Sequence, residues 1–195
     1  MEHWTPYIKA VFNRYHPIED STFHAIFSFG KVQNLTKGTP LLDVGNTSNH
    51  IHILLKGVIV SHYLSKDGLE YHKNIFLEGD FVGSTVSALK GEPSNFALTT
   101  IEDCILFTMD HRKYQNLISS RLDMKDFYIA YLEQNWVIQK EQREIAIVMQ
   151  EASERYKGFI KMHPGIEARI PLHYIASHLG ITPTQLSRIR KKIGN

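Results

Sequence analysis

Eight short apolar runs, separated by turn residues, occupy the middle of the chain and limit its fold most strongly. These runs are rich in Val, Ile, Leu, Phe and Tyr and lie near residues 31–35, 40–43, 50–55, 57–64, 69–77, 81–82, 96–101 and 104–109. Their spacing of roughly 8 to 12 residues is typical of antiparallel sandwiches and barrels. Asp67-Gly68 between two of the runs indicates a two-residue hairpin. The pattern predicts an antiparallel β jelly roll.

Helical patterns flank these runs on both sides. Residues 4–29 carry apolar side chains at helical spacing with a break at Pro17, and residues 110–119 predict a short helix or two. A longer helical stretch begins at Leu122 and continues to about Lys161 without a proline. Strands in one part of the chain and helices in another predict the α+β class.

The long helical stretch needs a surface to pack against, and the two candidates are the chain's own barrel and a second copy of the chain. Apolar residues recur along it in a heptad track that Gln134 and Glu141 interrupt. The residues of this predicted dimer track are Phe127, Tyr131, Ile138, Ile145 and Val148. A neighbouring register through Tyr128, Tyr131, Asn135, Ile138, Ile145 and Met149 fits about as well. We expect a dimerisation helix, with packing wholly on the barrel as the alternative.

The C-terminal stretch from Pro171 to Ile193 has the pattern of two short helices joined by a glycine turn. Pro171 suits the first position of the first helix, and Gly180 suits the left-handed residue that ends it. Thr182 can cap the second helix, with Pro183 at its first position. The apolar residues at helical spacing are Leu172, Ile175, Ala176 and Leu179 in the first helix and Leu186, Ile189 and Ile193 in the second. This pattern predicts a helix-turn-helix, with an ordinary helical hairpin as the alternative.

Charge separates this C-terminal stretch from the rest of the chain. Residues 169–195 contain five of the 22 Lys and Arg residues and none of the 20 Asp and Glu residues, a net charge of +5. The remainder holds 17 basic and 20 acidic residues, a net charge of −3. Such segregation indicates a phosphate backbone as the partner. Together with the predicted helix-turn-helix, it leads us to expect double-stranded DNA as that partner.

The order of these parts resembles the Crp/Fnr family of bacterial transcription regulators over the whole length. The segments that carry the resemblance are LLKGVIVSHYLSKDGLEYHKNIFLEGDFVG (54–83), IEDCILFTMDHRKYQNL (101–117) and YIASHLGITPTQLSRIRKK (174–192). The resemblance implies a sensor domain of the cyclic-nucleotide-binding type with flanking helices in residues 1–120. It further implies a dimerisation helix in residues 121–150 and a winged-helix-like DNA-binding domain in residues 151–195. We expect a truncated wing, because the sequence stops at Asn195.

The resemblance also implies which residues would contact DNA. The residues expected to read bases are Thr184, Gln185 and Arg188. The Arg188 guanidinium would donate hydrogen bonds to the O6 and N7 atoms of guanine. The implied phosphate contacts are Arg169, Thr182, Ser187, Arg190 and Lys191. A homodimer would bind a near-palindromic site with half-sites about one helical turn apart. The resemblance is also compatible with RNA polymerase as a further partner.

The implied ligand cassette departs from the family's pattern at two positions. Family members that bind a cyclic nucleotide use an arginine for its phosphate and a glutamate for its ribose, and these positions are Ser94 and Ser84 here. A serine cannot replace a bidentate cation, so we expect neither cAMP nor cGMP to bind tightly. Lys90 lies nearby but suits a solvated loop better. The residues of this degenerate pocket are Gly79, Phe81, Val82, Gly83, Ser84, Ser94 and Asn95. The sequence leaves open whether the pocket binds another small molecule or the protein has no effector.

The barrel histidines leave a metal-dependent alternative open. His50-Ile51-His52 is similar to the start of a cupin metal motif, but Lys56 and Gly57 occupy the place of the expected glutamate. His62 and His72 lie on runs predicted to pair, so three imidazoles could converge on a metal ion. Nothing in the spacing requires this, and we expect no metal, no cofactor and no catalytic residue. Nucleophile-elbow, Walker and dinucleotide motifs are absent from the sequence.

The single cysteine and the hydropathy pattern indicate the compartment. Cys104 lies in an apolar run and excludes a disulfide within the chain or an all-cysteine iron–sulfur site. The first residues lack the form of a signal peptide, and no run approaches the ~20 apolar residues that span a bilayer. We expect a cytoplasmic protein with a buried, inert thiol and no membrane partner.

Overall fold

The computed structural model describes residues 2–64 and 70–194. The predicted Asp67-Gly68 hairpin lies outside these residues. A short 3₁₀ turn, Glu2–Trp4, leads into helix α1 (Thr5–Asn13), and helix α2 (Asp20–Phe29) follows. The break between the two helices is at the predicted place, around Pro17.

The apolar runs form the strands of an antiparallel β domain. The described strands are β1 (Gly30–Leu35), β2 (Pro40–Leu42), β3 (His50–Lys56), β4 (Ile59–Leu64), β5 (Glu70–Phe76), β6 (Phe81–Val82), β7 (Ala97–Thr100) and β8 (Cys104–Asp110). They form two four-stranded sheets in the orders β1-β8-β3-β6 and β2-β7-β4-β5. All described pairs are antiparallel, and the strand bounds lie close to those predicted.

Strand alternation gives the first sheet two buried faces. Leu54 and Leu106 face the second sheet and pack with Val82 and Leu98 between the layers. The opposite face packs against α1 and α2 in a second apolar cluster. The central residues of that cluster are Ile8, Phe12, Phe23, Ile26, Ile53, Phe81, Phe107 and Met109. The N-terminal helices therefore belong to the core of the β domain.

The helices after the β domain are interrupted more often than the sequence pattern suggests. Between the strands lies α3 (Thr85–Lys90), and after them come α4 (His111–Ser120), α5 (Leu122–Leu132), a π-helical segment (Glu133–Ile138) and α6 (Gln139–Met149). Gln150 is extended, with φ −104° and ψ 142°, and the helix ends there. The prediction of one uninterrupted helical stretch from Leu122 to about Lys161 is therefore wrong, because the chain leaves the helical conformation at Gln150. Helix α7 (Ala152–Met162) starts anew because Glu151 and Glu154 form a capping box.

A C-terminal helical module, residues 151–194, follows this break. After α7 it contains a 3₁₀ turn (Ile166–Ala168), α8 (Leu172–His178) and α9 (Pro183–Ile193). Gly180 is left-handed with φ 69°, and Thr182 caps α9, as predicted. Pro171 differs from the prediction by one position. It precedes the first helical residue, since its ψ of 134° is extended.

The C-terminal helical module has a core of its own that reaches the β domain. Tyr156, Ile175, Ala176 and Leu186 are almost completely buried in this cluster, and Val58 of the β domain is part of it. Within the described residues, no helix is both long and apolar enough to cross a bilayer.

Candidate functional site

Helix α9 presents a polar and basic surface away from the module core. Leu186 is 1% exposed and anchors the helix, whereas Ile189 and Ile193 are half-buried. The exposed residues of the helix are Pro183, Thr184, Gln185, Ser187, Arg188, Lys191 and Lys192. Thr184, Arg188 and Lys191 are four and three residues apart and therefore share one face. The predicted base-reading residues and one predicted phosphate contact thus lie together on a solvent-exposed face.

The N-terminal end of α9 is fixed by a reciprocal capping box. The backbone N–H of Gln185 donates to Thr182 Oγ1 over 3.1 Å, and the backbone N–H of Thr182 donates to Gln185 Oε1 over 2.9 Å. The carbonyl end of the Gln185 side chain is therefore engaged in its own chain. Its amide nitrogen is left for an outside acceptor.

Two predicted phosphate contacts already have carboxylate partners within the chain. Arg190 Nε lies 2.9 Å from Glu167 Oε1, and that same oxygen accepts a 2.6 Å hydrogen bond from the Tyr156 hydroxyl. Arg169 donates to both oxygens of Glu78, from Nη1 over 3.1 Å and from Nη2 over 2.6 Å. Charge counting along the sequence missed these acidic partners.

The carboxylate partners of Arg169 lie in the β domain. Arg169 Nη2 is also 2.5 Å from Glu102 Oε1, so one guanidinium holds two carboxylates. Burial pushes the pKa of the Glu78 carboxyl upward, but hydrogen bonds from Arg169 and from the Gly57 N–H outweigh it and hold this pKa below its ordinary value. The two hydrogen-bonded carboxylates raise the pKa of the Arg169 guanidinium. Glu78 and Arg169 therefore keep their charges at neutral pH.

Two serine hydroxyl groups of the cassette, residues 79–95, form a hydrogen bond with each other. Ser84 Oγ and Ser94 Oγ lie 2.9 Å apart, which is hydrogen-bond distance. Ser94 Oγ also donates to the Phe96 carbonyl over 2.8 Å and accepts from the Phe96 N–H over 3.1 Å. The two serines that replace the expected ligand-binding residues therefore bind each other.

Several predicted pocket residues belong to the protein core or to the loop surface. Val82 is fully buried between the sheets, and Phe81 packs on Phe12 and Phe127. Gly79 is left-handed with φ 89°, and Gly83 lies close to the backbone of His50. Asn95 is exposed. Lys90 is also exposed and pairs with Glu92 at 3.5 Å, so it is solvated as expected, but it is the last residue of α3 and not part of a loop.

The sequence analysis missed a half-buried cation close to the cassette. Lys73 Nζ lies 4.6 Å from the centre of the Phe96 ring, a cation–π contact. Burial lowers the pKa of the Lys73 ammonium, and the neighbouring Arg143 lowers it further. Arg143 of α6 also donates to the Lys73 carbonyl over 3.1 Å. Lys73 of β5 therefore contacts both Phe96, next to the cassette, and Arg143 of α6.

The barrel histidines form two separate pairs. The rings of His50 and His52 are 6.1 Å apart on the first sheet, and those of His62 and His72 are 6.0 Å apart across β4 and β5 of the second. Among the described residues there is no group of three or more His, Cys, Asp or Glu side chains that could hold a metal ion. The convergence that the cupin alternative requires is not found in this part of the chain.

His52 lines a half-open cavity of about 220 Å³ whose other lining residues come from β1, β8 and β3 of the first sheet and from the region of β2. Its Nδ1 lies 2.9 Å from the Thr108 hydroxyl, which donates to Gln33 over 3.1 Å. Burial, with a smaller contribution from His50, lowers the pKa of His52 to about 4. A second cavity of about 280 Å³ borders Cys104. Burial raises the pKa of that thiol to about 11, so it is protonated at neutral pH.

The predicted dimer track divides into a buried and an exposed half. Phe127 is fully buried against Phe12, Tyr15 and Phe81 of its own chain, and Tyr131 packs on Tyr15 and Phe81. Phe127 is therefore corrected to an intrachain core contact, whereas Tyr131 is only partly buried and stays a predicted dimer contact. Ile138, Ile145 and Val148 are 45%, 53% and 80% exposed. Further exposed apolar residues, which the track missed, are Trp136, Val137, Ile147 and Met149.

The β domain is similar to a known protein family. Residues 32–121 match the model of the cyclic nucleotide-binding domain. This match covers most of β1, the strands β2 to β8, the cassette and α4. A comparison with curated protein sequences finds no match.

Solved structures resemble the chain over most of its length. A Ruegeria pomeroyi protein described as cyclic nucleotide binding has a TM-score of 0.71 and 16% identity, with 100% of this chain and 88% of that chain covered. FixK2 from Bradyrhizobium japonicum has a TM-score of 0.70 and 14% identity, with 85% and 84% covered. The c-di-GMP responsive global regulator CLP of Xanthomonas campestris has a TM-score of 0.65 and 15% identity, with 90% and 92% covered. Crp/Fnr-type regulators are thus among the proteins that share this fold.

Proposed function

We propose that the chain is a sequence-specific DNA-binding transcription regulator of the Crp/Fnr type that acts as a homodimer in the cytoplasm. The observation that carries this proposal is the exposed, basic face of α9, held on its module by Leu186 and by the Thr182–Gln185 capping box. Helices α8 and α9 with the Gly180 turn would form the helix-turn-helix, and α9 would enter the major groove. The likeness of most of the chain to Crp/Fnr-type regulators supports this assignment.

The proposed contacts follow from the exposure of each side chain. Arg188 and Thr184 are exposed and would read bases, with the free amide nitrogen of Gln185 as a third group. Thr182, Ser187 and Lys191 would contact phosphates. Arg190 and Arg169 would first have to leave Glu167 and Glu78.

The exposed half of the predicted dimer track supports the proposed homodimer. Ile138, Ile145 and Val148 extend along α6 and the segment before it, and an apolar surface of this kind is typical of a subunit interface. A parallel pairing of two such helices would place two α9 helices side by side. Their target would be a near-palindrome with half-sites about 34–36 Å apart.

The β domain would act as a sensor that does not bind a cyclic nucleotide tightly. Its strand order supports the predicted jelly roll. The Ser84–Ser94 hydrogen bond takes up the two groups that would have to hold the ligand, and neither serine supplies a cation for a buried phosphate. A cyclic nucleotide that bound with a Kd of about 10 μM would raise the melting temperature at 1 mM, which is on the order of 100-fold above that Kd. We expect 1 mM cAMP or cGMP to leave the melting temperature unchanged. No enzymatic activity is proposed.

Selection of duplexes from a random library at a fixed salt concentration tests the DNA-binding proposal. The wild-type chain should enrich a near-palindrome, and R188A should enrich a motif with one base pair relaxed in each half-site. K192A is a suitable control, because Lys192 is exposed on the same helix but is not a proposed base reader. Recovery of no motif, with weak and salt-sensitive binding only, would contradict the proposal.

A further inference from the structure

One side chain of the C-terminal helical module holds two carboxylates of the β domain. Arg169 lies between the 3₁₀ turn and α8, Glu78 follows β5, and Glu102 lies between β7 and β8. The distances from the guanidinium are 2.6 and 3.1 Å to the Glu78 oxygens and 2.5 Å to Glu102. We call these three residues the Arg169 bridge. Its side chains are each about one-third exposed, at 33%, 32% and 33%.

The Arg169 bridge is attached to the first residues of the cassette. Glu78 directly precedes Gly79, and its carboxylate also accepts a 2.9 Å hydrogen bond from the Gly57 N–H. Asp80, two residues on, accepts from the Leu77 N–H over 2.8 Å. A shift of this glycine turn would therefore move the carboxylate that Arg169 holds.

Other contacts across the same junction are apolar or neutral. The His72 N–H donates to Ser177 Oγ over 2.9 Å, and the His72 and Tyr174 rings are 4.0 Å apart. Val58 joins the module core. The Arg169 bridge is an ion pair across this junction, so it contributes a charge dependence that the apolar contacts lack.

The bridge also removes one positive charge from the surface that would meet DNA. Residues 169–195 carry five basic side chains, of which Arg169 is the one that the β domain neutralises. A guanidinium binds carboxylates and phosphates with the same bidentate geometry. If Arg169 exchanged Glu78 and Glu102 for a DNA phosphate, its link to the β domain would be lost.

We propose that the Arg169 bridge restrains the C-terminal helical module on the β domain and masks a cation that contacts DNA phosphate once the bridge opens. This inference rests on the proposed DNA-binding function and adds a means of regulating it. A displacement at the start of the cassette would open the bridge, free the module and add one phosphate contact in each protomer.

The test uses the full chain with E78Q/E102Q, R169Q and the control R112Q, an exposed arginine on α4. Glutamine keeps an acceptor for the Gly57 N–H while removing the charge that holds Arg169. The first readout is hydrogen exchange of residues 166–180 without DNA. The second is affinity for the selected palindrome over a range of KCl concentrations.

Faster exchange of residues 166–180 in both E78Q/E102Q and R169Q, but not in R112Q, is the expected result for a restraining bridge. The plot of log K against log salt should steepen by about 0.9 per protomer in E78Q/E102Q and stay at the wild-type value in R169Q. Unchanged exchange in both bridge variants overturns the proposal. Equal slopes in all variants, or a shallower slope in R169Q, overturn the masked cation. If the wild-type chain binds no DNA, the proposed function fails while the exchange data still decide the restraint.

Discussion

At the scale of single residues, Arg188 and Lys191 lie one turn apart on α9, yet they should act on different parts of a duplex. A guanidinium that binds guanine discriminates between bases, whereas an ammonium that binds a phosphate does not. R188A should lose about 1–3 kcal/mol on the selected site and little on random DNA. K191A should weaken binding to all sequences alike and lower the salt slope by about one per protomer.

Titration of both variants against the selected palindrome and a scrambled duplex, at several salt concentrations, measures the two effects. K192A, at an exposed lysine of the same helix to which no DNA contact is assigned, is the matched control. Equal losses on specific and random DNA for both variants would contradict the division of roles.

The hydroxyl of Ser94 should matter for stability because it is buried in the cassette. Ser94 is 3% exposed and serves both the Ser84 hydroxyl and the Phe96 backbone. S94A leaves buried polar groups without a partner and should cost about 1–3 kcal/mol in the free energy of unfolding. Urea denaturation measures this. S119A, which removes an exposed hydroxyl on α4, should stay within about 0.5 kcal/mol of wild type, and an equal effect of the two substitutions would refute the argument.

At the scale of elements, the exposed part of α6 carries the proposed dimer contact. Val148 is 80% exposed in the single chain, and a carboxylate there would be buried without a partner in an apolar interface. V148E should therefore convert the dimer to a monomer, as measured by light scattering after gel filtration. M162E is the control, because Met162 is 74% exposed on α7, outside the track. A V148E chain that keeps the wild-type mass would exclude this face from the interface.

The strands could be predicted from the sequence because their signals are local. Period-two alternation and turn residues fix β3 or β8 within a few positions, and Gly180 and Thr182 likewise mark the ends of α8 and α9. The helix break at Gln150 escaped prediction, because its signal is an acidic capping box, Glu151 and Glu154, inside a continuous helical pattern. A glutamate at the capping position is a weaker signal than Ser, Thr, Asp or Asn.

Contacts that are distant in sequence could not be predicted in the same way. Periodicity shows that Phe127 needs an apolar partner, but it does not distinguish Phe12 of the same chain from a second copy. Arg169 has basic neighbours along the sequence, whereas its acidic partners Glu78 and Glu102 lie 91 and 67 residues away. The Ser84–Ser94 hydrogen bond also depends on the fold of the cassette rather than on either residue type.

At the scale of the whole molecule, two histidines link the stability of both parts to pH. Burial, and then His50, lowers the pKa of His52 in the β domain to about 4. Burial, and then Arg143, lowers the pKa of His178 in α8 to about 4, against upward effects of the His72 and Lys73 carbonyls and a further downward effect of His163. In the unfolded chain each histidine has its ordinary pKa of about 6.5. Between pH 6.5 and 4 the unfolded chain therefore binds more protons than the folded chain, and stability falls as the pH falls.

Acidification from pH 7 to pH 5 should thus destabilise the wild-type chain by on the order of 2 kcal/mol for each of these histidines. H52Q and H178Q remove the group that takes up the proton, so each should lessen the difference between pH 7 and pH 5 by about that amount, whatever its effect at pH 7. Urea denaturation at pH 7, 6 and 5 measures the difference. H24Q, at an exposed histidine of α2, should keep the wild-type pH dependence. A difference that H52Q and H178Q leave unchanged would show that other groups carry the acid sensitivity, and that neither imidazole is held neutral by its burial.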